Sequence, residues 1–404
     1  MTNEKNNSLV IGLFGFGVVG QGLYQVLQDV QTANATIKSI CVKQKEKPRS
    51  LPQHLFTFEP DDLLNDKDIN LIVELIDDAD AAYQIVKRAL LNGKSVVSGN
   101  KKMLAHHLDE LIEIQKDNSV ALLYDASACG SIPVIRNLEE YYDNDLLQSI
   151  TGILNGSSNF ILSRIFQDNW SYADALKHAQ ELGFAESNPT FDVDGYDSMY
   201  KLVILALHGF GTLVDPADVF HYGISTISGH DIRYATEKGR KIKLVAQVTK
   251  INGRRFSLFV LPKLITPEEY IYNVEDEYNG VIIEGQFYDK QFMFGKGAGA
   301  FPTGSAVLSD ITAQKHHYRY EYKKLNFFDP PVVTRNINLE VYLRYHNLLD
   351  LSHFDFESIS EKYAGPDYHY VIGKIKLETL YNLKNLIRKL NVFIAWTGKL
   401  DIND

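Results

Sequence analysis

Short apolar runs alternate with amphipathic stretches through the first third of the chain. Leu9-Val10-Ile11-Gly12-Leu13-Phe14 reads as a buried strand, and residues 37–42, 71–76, 95–98 and 121–124 repeat the pattern. Between them, residues 21–30 carry helical spacing and residues 79–92 form a helix closed by Gly93. Strands alternating with helices predict a parallel, doubly wound sheet. Such sheets take ligands at the carboxyl ends of their strands, which places Lys101 and the loop 125–132 at a site. A second unit opens at Ile150 with a strand, a small polar turn and a helix over 160–167. Leu202-Val203-Ile204-Leu205-Ala206-Leu207 is nearly all apolar, so its helix is expected to be buried. A second glycine-rich loop, from Gly295, enters another helix before Asp310. After an aromatic and charged stretch, 318–329, Pro330-Pro331 marks a break. Beyond it the spacing predicts strand 339–345, helix 356–363, strand 368–377, helix 380–390 and strand 392–396.

The length, 404 residues, allows two or three domains, and 45% hydrophobic with 23% charged residues is ordinary for a globular chain. A net charge of -10 argues against nucleic acid or an anionic membrane as partner. Two cysteines, Cys41 and Cys129, make no disulfide framework and suit a reducing cytoplasm. Residues 1–8 are polar and lack the apolar core of a signal peptide, and the run 202–207 is far too short to span a bilayer.

The strongest local signal in the first third is Gly15-Phe16-Gly17-Val18-Val19-Gly20, set between a strand and a helix. Gly15 permits a tight turn, Gly17 lets backbone approach a pyrophosphate, and Gly20 allows helix to pack closely on strand. Phe16, Val18 and Val19 complete the turn, and the phosphates would sit on the N–H groups at the helix start. The first third is therefore read as a Rossmann domain. At the end of its second strand stands Lys43, followed by Lys45, Lys47 and Arg49. A lysine there pairs with a 2′-phosphate and cannot accept from a ribose hydroxyl, which favours NADP(H) over NAD(H). The alternative is a solvated basic loop.

Residues 185–201 pack four carboxylates and one lysine into a loop that runs into the buried helix. Asp197 and Lys201 lie four apart and share a helix face. Buried lysine and aspartate are rare without a partner or a role, although a surface salt bridge is the plainer reading. Glu186 and Asp192 suit an ammonium group. Cys129, among small residues with no histidine near it in sequence, reads as packing and not as a nucleophile.

Together, the glycine turn, Val97-Ser98-Gly99-Asn100-Lys101, residues 152–162, 185–201 and 295–310 resemble one family in order and spacing, the homoserine dehydrogenases, over residues 8–320. The resemblance implies reversible, NAD(P)-dependent oxidation of L-homoserine to L-aspartate 4-semialdehyde, on the branch toward threonine, methionine and isoleucine. It implies Lys201 as acid/base with Asp197 as its partner, and Lys101 between nicotinamide and substrate. Glu186, Asp192, Gly156 and Ser157 would contact substrate; Ser98, Gly297 and Gly299 would contact the cofactor. A sodium site would use Asp125 with the carbonyls of Ala128, Gly130 and Ile132. The implied domains are 1–133 (Rossmann), 134–320 (α+β, catalytic and dimer-forming, with a helix from 303 returning toward the Rossmann domain) and 321–404 (a shortened βαβαβ, ACT-like). Residues 349–353, after the first strand of that last domain, lack the glycine usual in effector-binding members, which favours a structural or dimer-forming role over threonine sensing. An aspartate kinase domain is not expected here, since the glycine turn starts at residue 15.

Three features depart from the family pattern. Asp125 replaces a glutamate, Asp77-Asp78 replaces paired glycines, and Lys296 stands where arginine or another residue is frequent. The rival readings are another Rossmann oxidoreductase of a small aldehyde or sugar, and a catalytically dead dinucleotide-binding regulator. An acidic cluster suited to an ammonium counts against the first, and intact Lys101, Asp197 and Lys201 against the second.

Overall fold

A computed structural model describes residues 8–30, 32–327 and 331–402; Pro330, residues 328–329 and the polar stretch 1–7 lie outside the described residues. The chain forms two compact units. One runs to Tyr141 and includes Lys296–Lys323; the other comprises Tyr142–Gly295 and the chain from Lys324 onward. The break expected after residue 133 therefore falls after Tyr141, because the helix Val134–Glu140 belongs with the first unit. Its buried Glu139 accepts from the Tyr322 N–H at 3.2 Å. The third domain expected at 321–404 is not separate either, since its strands continue the second unit's sheet.

In the first unit, β1 (Leu9–Phe14), β2 (Ala35–Cys41), β3 (Phe56–Thr57), β4 (Leu71–Glu74), β5 (Ser95–Ser98) and β6 (Leu122–Leu123) form a parallel sheet in the order β3-β2-β1-β4-β5-β6. Ile11, Leu13, Ile72, Val73, Val96 and Val97 are all fully buried, as expected of strands covered on both faces. The order reverses between β1 and β4, which makes the carboxyl ends of those strands a switch point. β3 has two residues, too short to leave a periodic signal. The helices Val18–Asp29 and Ala300–Lys315 pack backbone to backbone: a Cβ on Gly22 would lie 2.1 Å from the Ala300 carbonyl oxygen.

The second unit is built on β7 (Leu147–Ile153), β8 (Phe220–His221), β9 (Lys241–Asn252), β10 (Arg255–Ile265), β11 (Tyr278–Gly285), β12 (Asp289–Lys296), β13 (Val332–Val333), β14 (Ile337–Tyr345), β15 (Phe356–Ala364), β16 (His369–Lys376) and β17 (Phe393–Ile402). The main path runs β12-β11-β7-β9-β10-β17-β14-β16-β15, with β8 and β13 paired to β10. Against it lies the helix Tyr196–Phe210, buried at every position from Asp197 to Phe210.

The C-terminal part corrects the sequence reading. Residues 356–363 form strand β15, not a helix. Two register shifts against β16, between Phe356 and Ser358 and between Ile359 and Glu361, each insert an extra residue. They turn the two-residue spacing of a strand into an apparent helical one. Gly373 permits the close crossing, since a Cβ there would lie 2.5 Å from the Ser358 carbonyl oxygen. The expected helix 380–390 is two shorter pieces, Leu377–Asn382 and Lys384–Ile387. The result is a βαββαβ module with antiparallel strand order β17-β14-β16-β15, a split βαβ arrangement whose first helix is the short segment Leu348–Leu351.

Candidate active site

The acidic loop and its lysine come together in the second unit. The chain leaves the short helix Thr190–Val193 and turns at Gly195, whose φ of 84° favours glycine, into the buried helix. One turn on, Lys201 Nζ lies 2.7 Å from Asp197 Oδ2, with only 8% and 3% of the two side chains exposed. The surface-bridge reading is thereby excluded. Lys201 also donates to the Leu154 carbonyl at 2.6 Å.

Asn155 joins this pair to the rest of the acidic loop. It caps the helix Gly156–Asp168 by accepting from Ser158 N, while its Nδ2 donates to Asp192 Oδ1 at 2.8 Å and Asp197 Oδ2 at 3.0 Å. Asn279 donates to the same Leu154 carbonyl at 3.2 Å, and its buried Oδ1 has no hydrogen-bond partner. Gly156 starts the helix where no side chain fits, 2.6 Å from a would-be Cβ to the Glu277 carbonyl. The Ser157 hydroxyl donates to the Phe184 carbonyl. Glu186 is exposed, on a loop held through its carbonyl by Gln180 Nε2 at 2.9 Å.

Sequence reasoning did not single out Asn155, Asn279 or Lys243. Lys243 is buried and donates to Asn159 Oδ1, the Val274 carbonyl and Glu275 Oε2 at 3.1, 2.6 and 2.8 Å. Burial, only partly offset by Glu275, lowers its pKa to about 8. It thus anchors the segment whose Glu277 abuts Gly156. The available signal was one lysine inside the apolar strand Ile242-Lys243-Leu244-Val245.

The first unit carries the glycine turn. Gly15 has a φ of 94°, and a Cβ on it would lie 2.5 Å from the Leu75 carbonyl oxygen. A Cβ on Gly20 would lie 2.5 Å from the Gly15 carbonyl oxygen, whereas nothing lies within 4 Å of the Cβ position at Gly17. Open space therefore faces the start of a helix with no side-chain cap, where the N–H groups of Val18, Val19 and Gly20 precede the first intrahelical bond, Gln21 N to Gly17 O. Phe16 packs edge-on against Tyr24 and Phe56. These features fit a dinucleotide pyrophosphate.

Lys43 is exposed and pairs with Asp78 Oδ2 at 3.1 Å. Ser98 is buried, and its hydroxyl donates to Glu74 Oε2 at 2.5 Å. Glu74 is fully buried and also accepts from Ile76 N at 2.7 Å; burial pushes its carboxyl up to about 7. Asn100 completes this network: its N–H donates to Ser98 Oγ, its Nδ2 to the Ile76 carbonyl, and its Oδ1 caps the helix that begins at Lys101. The loops after β4 and β5 are thus stitched together at the carboxyl edge of the sheet.

In the Asp125 loop, Oδ1 of the buried Asp125 accepts from Arg136 N at 3.0 Å, and its own N–H donates to Asp310 Oδ2 at 2.9 Å. Arg136 bonds Asp310 Oδ1 at 2.5 Å. Burial and then the neighbouring Asp125 raise Asp310 to about 7. Gly130 turns at φ 57°, where a Cβ would lie 2.4 Å from the Gly297 carbonyl oxygen, and Ser131 N donates to the Lys296 carbonyl at 3.0 Å. The loop carrying Gly297 and Gly299 is therefore seated on the Gly130 turn. Gly299, at φ 122°, leads into the helix Ala300–Lys315.

Comparison with known proteins covers the segments that carry both sets of residues. Residues 133–312 match the model for homoserine dehydrogenase, and residues 15–125 match the model for the homoserine dehydrogenase NAD binding domain. The homoserine dehydrogenase of Bacillus subtilis is 35% identical over 329 residues, covering 79% of this chain and 76% of its own. The chain belongs to the homoserine dehydrogenase family. Among solved members, the homoserine dehydrogenase of Thiobacillus denitrificans superposes with a TM-score of 0.82 at 30% identity, over 98% of each chain. A hyperthermophilic archaeal homoserine dehydrogenase in complex with NADPH superposes at 0.67 with 25% identity, over 77% of this chain and 99% of its own. One departure from the family pattern now has a local cause: Asp78 caps the helix Ala79–Leu91 through Ala81 N at 3.0 Å and holds Lys43.

Proposed function

We propose that this chain interconverts L-homoserine and L-aspartate 4-semialdehyde, with NADP(H) preferred over NAD(H). The observation that carries the reading is the buried Asp197–Lys201 pair, held by Leu154 and Asn155 beside Asp192. In the reducing direction Lys201 Nζ delivers a proton to the oxygen that becomes the homoserine hydroxyl; in the oxidising direction it takes that proton back. Asp197 orients Nζ. Asp192 and Glu186 accept from the substrate ammonium, and the N–H groups of Gly156 and Ser157, at a helix start, suit its carboxylate. Lys101 and Ser98 are assigned to the cofactor side, with the glycine turn 15–20 on the pyrophosphate and Gly297 and Gly299 in the closing loop. The bound dinucleotide supplies or accepts the hydride.

The preference for NADP(H) rests on Lys43 at the end of β2. Its pair with Asp78 is solvated and therefore weak, so the ammonium is free to turn to a 2′-phosphate. The archaeal relative seen with NADPH points the same way. Asp125 and the carbonyls of Ala128, Gly130 and Ile132 are hard oxygen donors of the kind sodium prefers, and we assign them a structural ion. A homodimer is supported by β12, an edge strand that exposes Phe292 and Phe294 stacked on Tyr270 and Tyr278. A cytoplasmic setting is consistent with two buried cysteines that form no disulfide. No helix among the described residues is long and apolar enough to cross a membrane.

The deciding experiment follows oxidation of NADPH and of NADH by the purified chain with aspartate semialdehyde, in sodium and in choline salts. Turnover with higher kcat/KM for NADPH is expected, together with a higher unfolding temperature in sodium. Absence of turnover in a folded sample removes the reading; a preference for NADH removes the role of Lys43; equal stability in both salts removes the ion.

A further inference from the structure

The acidic loop is also held from behind, by the C-terminal module. Arg388, just past the helix Lys384–Ile387, places Nη2 3.0 Å from His221 Nε2 and 3.5 Å from Nδ1. His221 Nδ1 also lies 3.0 Å from the Asp194 carbonyl oxygen. A carbonyl only accepts, so the ring proton must sit on Nδ1, which leaves Nε2 as the acceptor facing the guanidinium, a pure donor. The Nδ1–H then donates to Asp194, which completes a directed chain from Arg388 to the loop. Burial, with Arg388 and Lys384 adding to it and the Asp194 bond opposing it, brings His221 down to about 4, so the ring is neutral near pH 7.

The same three residues also meet through their rings. The guanidinium lies 5.2 Å from the centre of the Tyr196 ring, and Tyr196 and His221 lie 4.3 Å apart. Contacts from the module thus converge on Asp194, Gly195 and Tyr196, the turn between the helix of Asp192 and the helix of Asp197. The turn is clamped from the β8 side as well. Ile224 N donates to the Val193 carbonyl at 2.7 Å, and a Cβ on Gly223 would lie 1.8 Å from that same oxygen. The module is seated firmly enough to act as a support: Tyr222 Oη donates to the Val392 carbonyl at 2.9 Å, and Lys384 donates to the Ala217 carbonyl at 2.9 Å.

We infer that Arg388 is a positioning residue for substrate: through one tautomer of His221 it holds the Asp194 turn, and so sets the spacing between Asp192 and the Asp197–Lys201 pair. The inference rests on the proposal that this loop binds the amino-acid substrate. It gives the C-terminal module a role in substrate affinity that requires no effector.

Arg388 is exposed, so Arg388→Met is expected to fold as the parent does. Its KM for homoserine should rise about three- to tenfold, the range for one lost hydrogen bond. Turnover at saturation and the KM for NADPH should each change less than about twofold, the size of a surface substitution's effect. Arg388→Lys, which keeps a donor, should recover part of the loss. His221→Phe should raise KM similarly, and the double variant should be no worse than the poorer single one, because both act through one chain of contacts. An unchanged KM in Arg388→Met, or fully additive effects, would overturn the inference. Hydrogen exchange over residues 189–199 gives a readout independent of substrate, and it should quicken in Arg388→Met. If the parent does not turn over homoserine yet exchange quickens, the functional reading fails and the positioning role stands. Unchanged exchange removes the positioning role.

Discussion

At the scale of single residues, the chemistry rests on charges whose burial makes them costly unless each is partnered. Lys201 illustrates this, nearly buried with two acceptors in contact. Lys201→Ala should lower turnover by about 10²–10⁴-fold, the usual range for loss of an acid/base group, with a smaller change in KM. Steady-state kinetics in both directions measure it. Glu186→Ala should instead raise the homoserine KM and leave turnover nearly intact; an unmoved KM would take Glu186 out of the substrate contacts. Glu74 supplies a test by pH. Its folded pKa, about 7, lies above the usual 4.5, so between those values the native state holds a proton that the unfolded chain has released. Raising the pH across that window therefore removes stability, on the order of 1–3 kcal/mol, and nothing further is lost above it. Denaturant unfolding at pH 5 and pH 8 should show the drop in the parent and a smaller one in Glu74→Gln, which keeps the bonds to Ile76 and Ser98. The identity of Lys201 and Asp197 was legible in the sequence because an i,i+4 pair is a local fact. Asn155 was not, because its bonds reach residues 37 and 42 positions away.

At the scale of elements, glycines decide where backbones touch. The helices Val18–Asp29 and Ala300–Lys315 meet at Gly22, where a methyl group has no space against the Ala300 carbonyl. Gly22→Val should destabilise by roughly 1–3 kcal/mol or more, as overpacking does, and lower the unfolding temperature in calorimetry. An unchanged melting curve would mean that the helices do not pack this way. The glycine turn at 15–20 was readable from sequence, since strand, turn and helix follow one another along the chain. Gly22 was not, because its partner is a residue far away in sequence. β15 makes the opposite point: its apolar spacing looked helical, and only pairing with β16 shows the bulges responsible.

At the scale of the whole molecule, β12 leaves an edge strand with Phe292 36% and Phe294 53% exposed. Covering such a face with a second copy agrees with the proposed homodimer. Sedimentation equilibrium should report a dimer for the parent and a shift toward monomer for Phe294→Glu; a monomeric parent at micromolar concentration would exclude it. The sequence by itself determined the parallel sheet, the dinucleotide turn, the buried helix and its charged pair, because each depends on spacing or on backbone preferences that act over a few residues. Tertiary structure alone decided that Lys43 meets Asp78, that Ser98 serves a buried Glu74, that Asn155 gathers Asp192 and Asp197, and that Arg388 reaches His221. Those pairings close loops of tens to well over a hundred residues. Which distant side chain arrives at a given group is set by how the sheets are assembled, and no local periodicity encodes it.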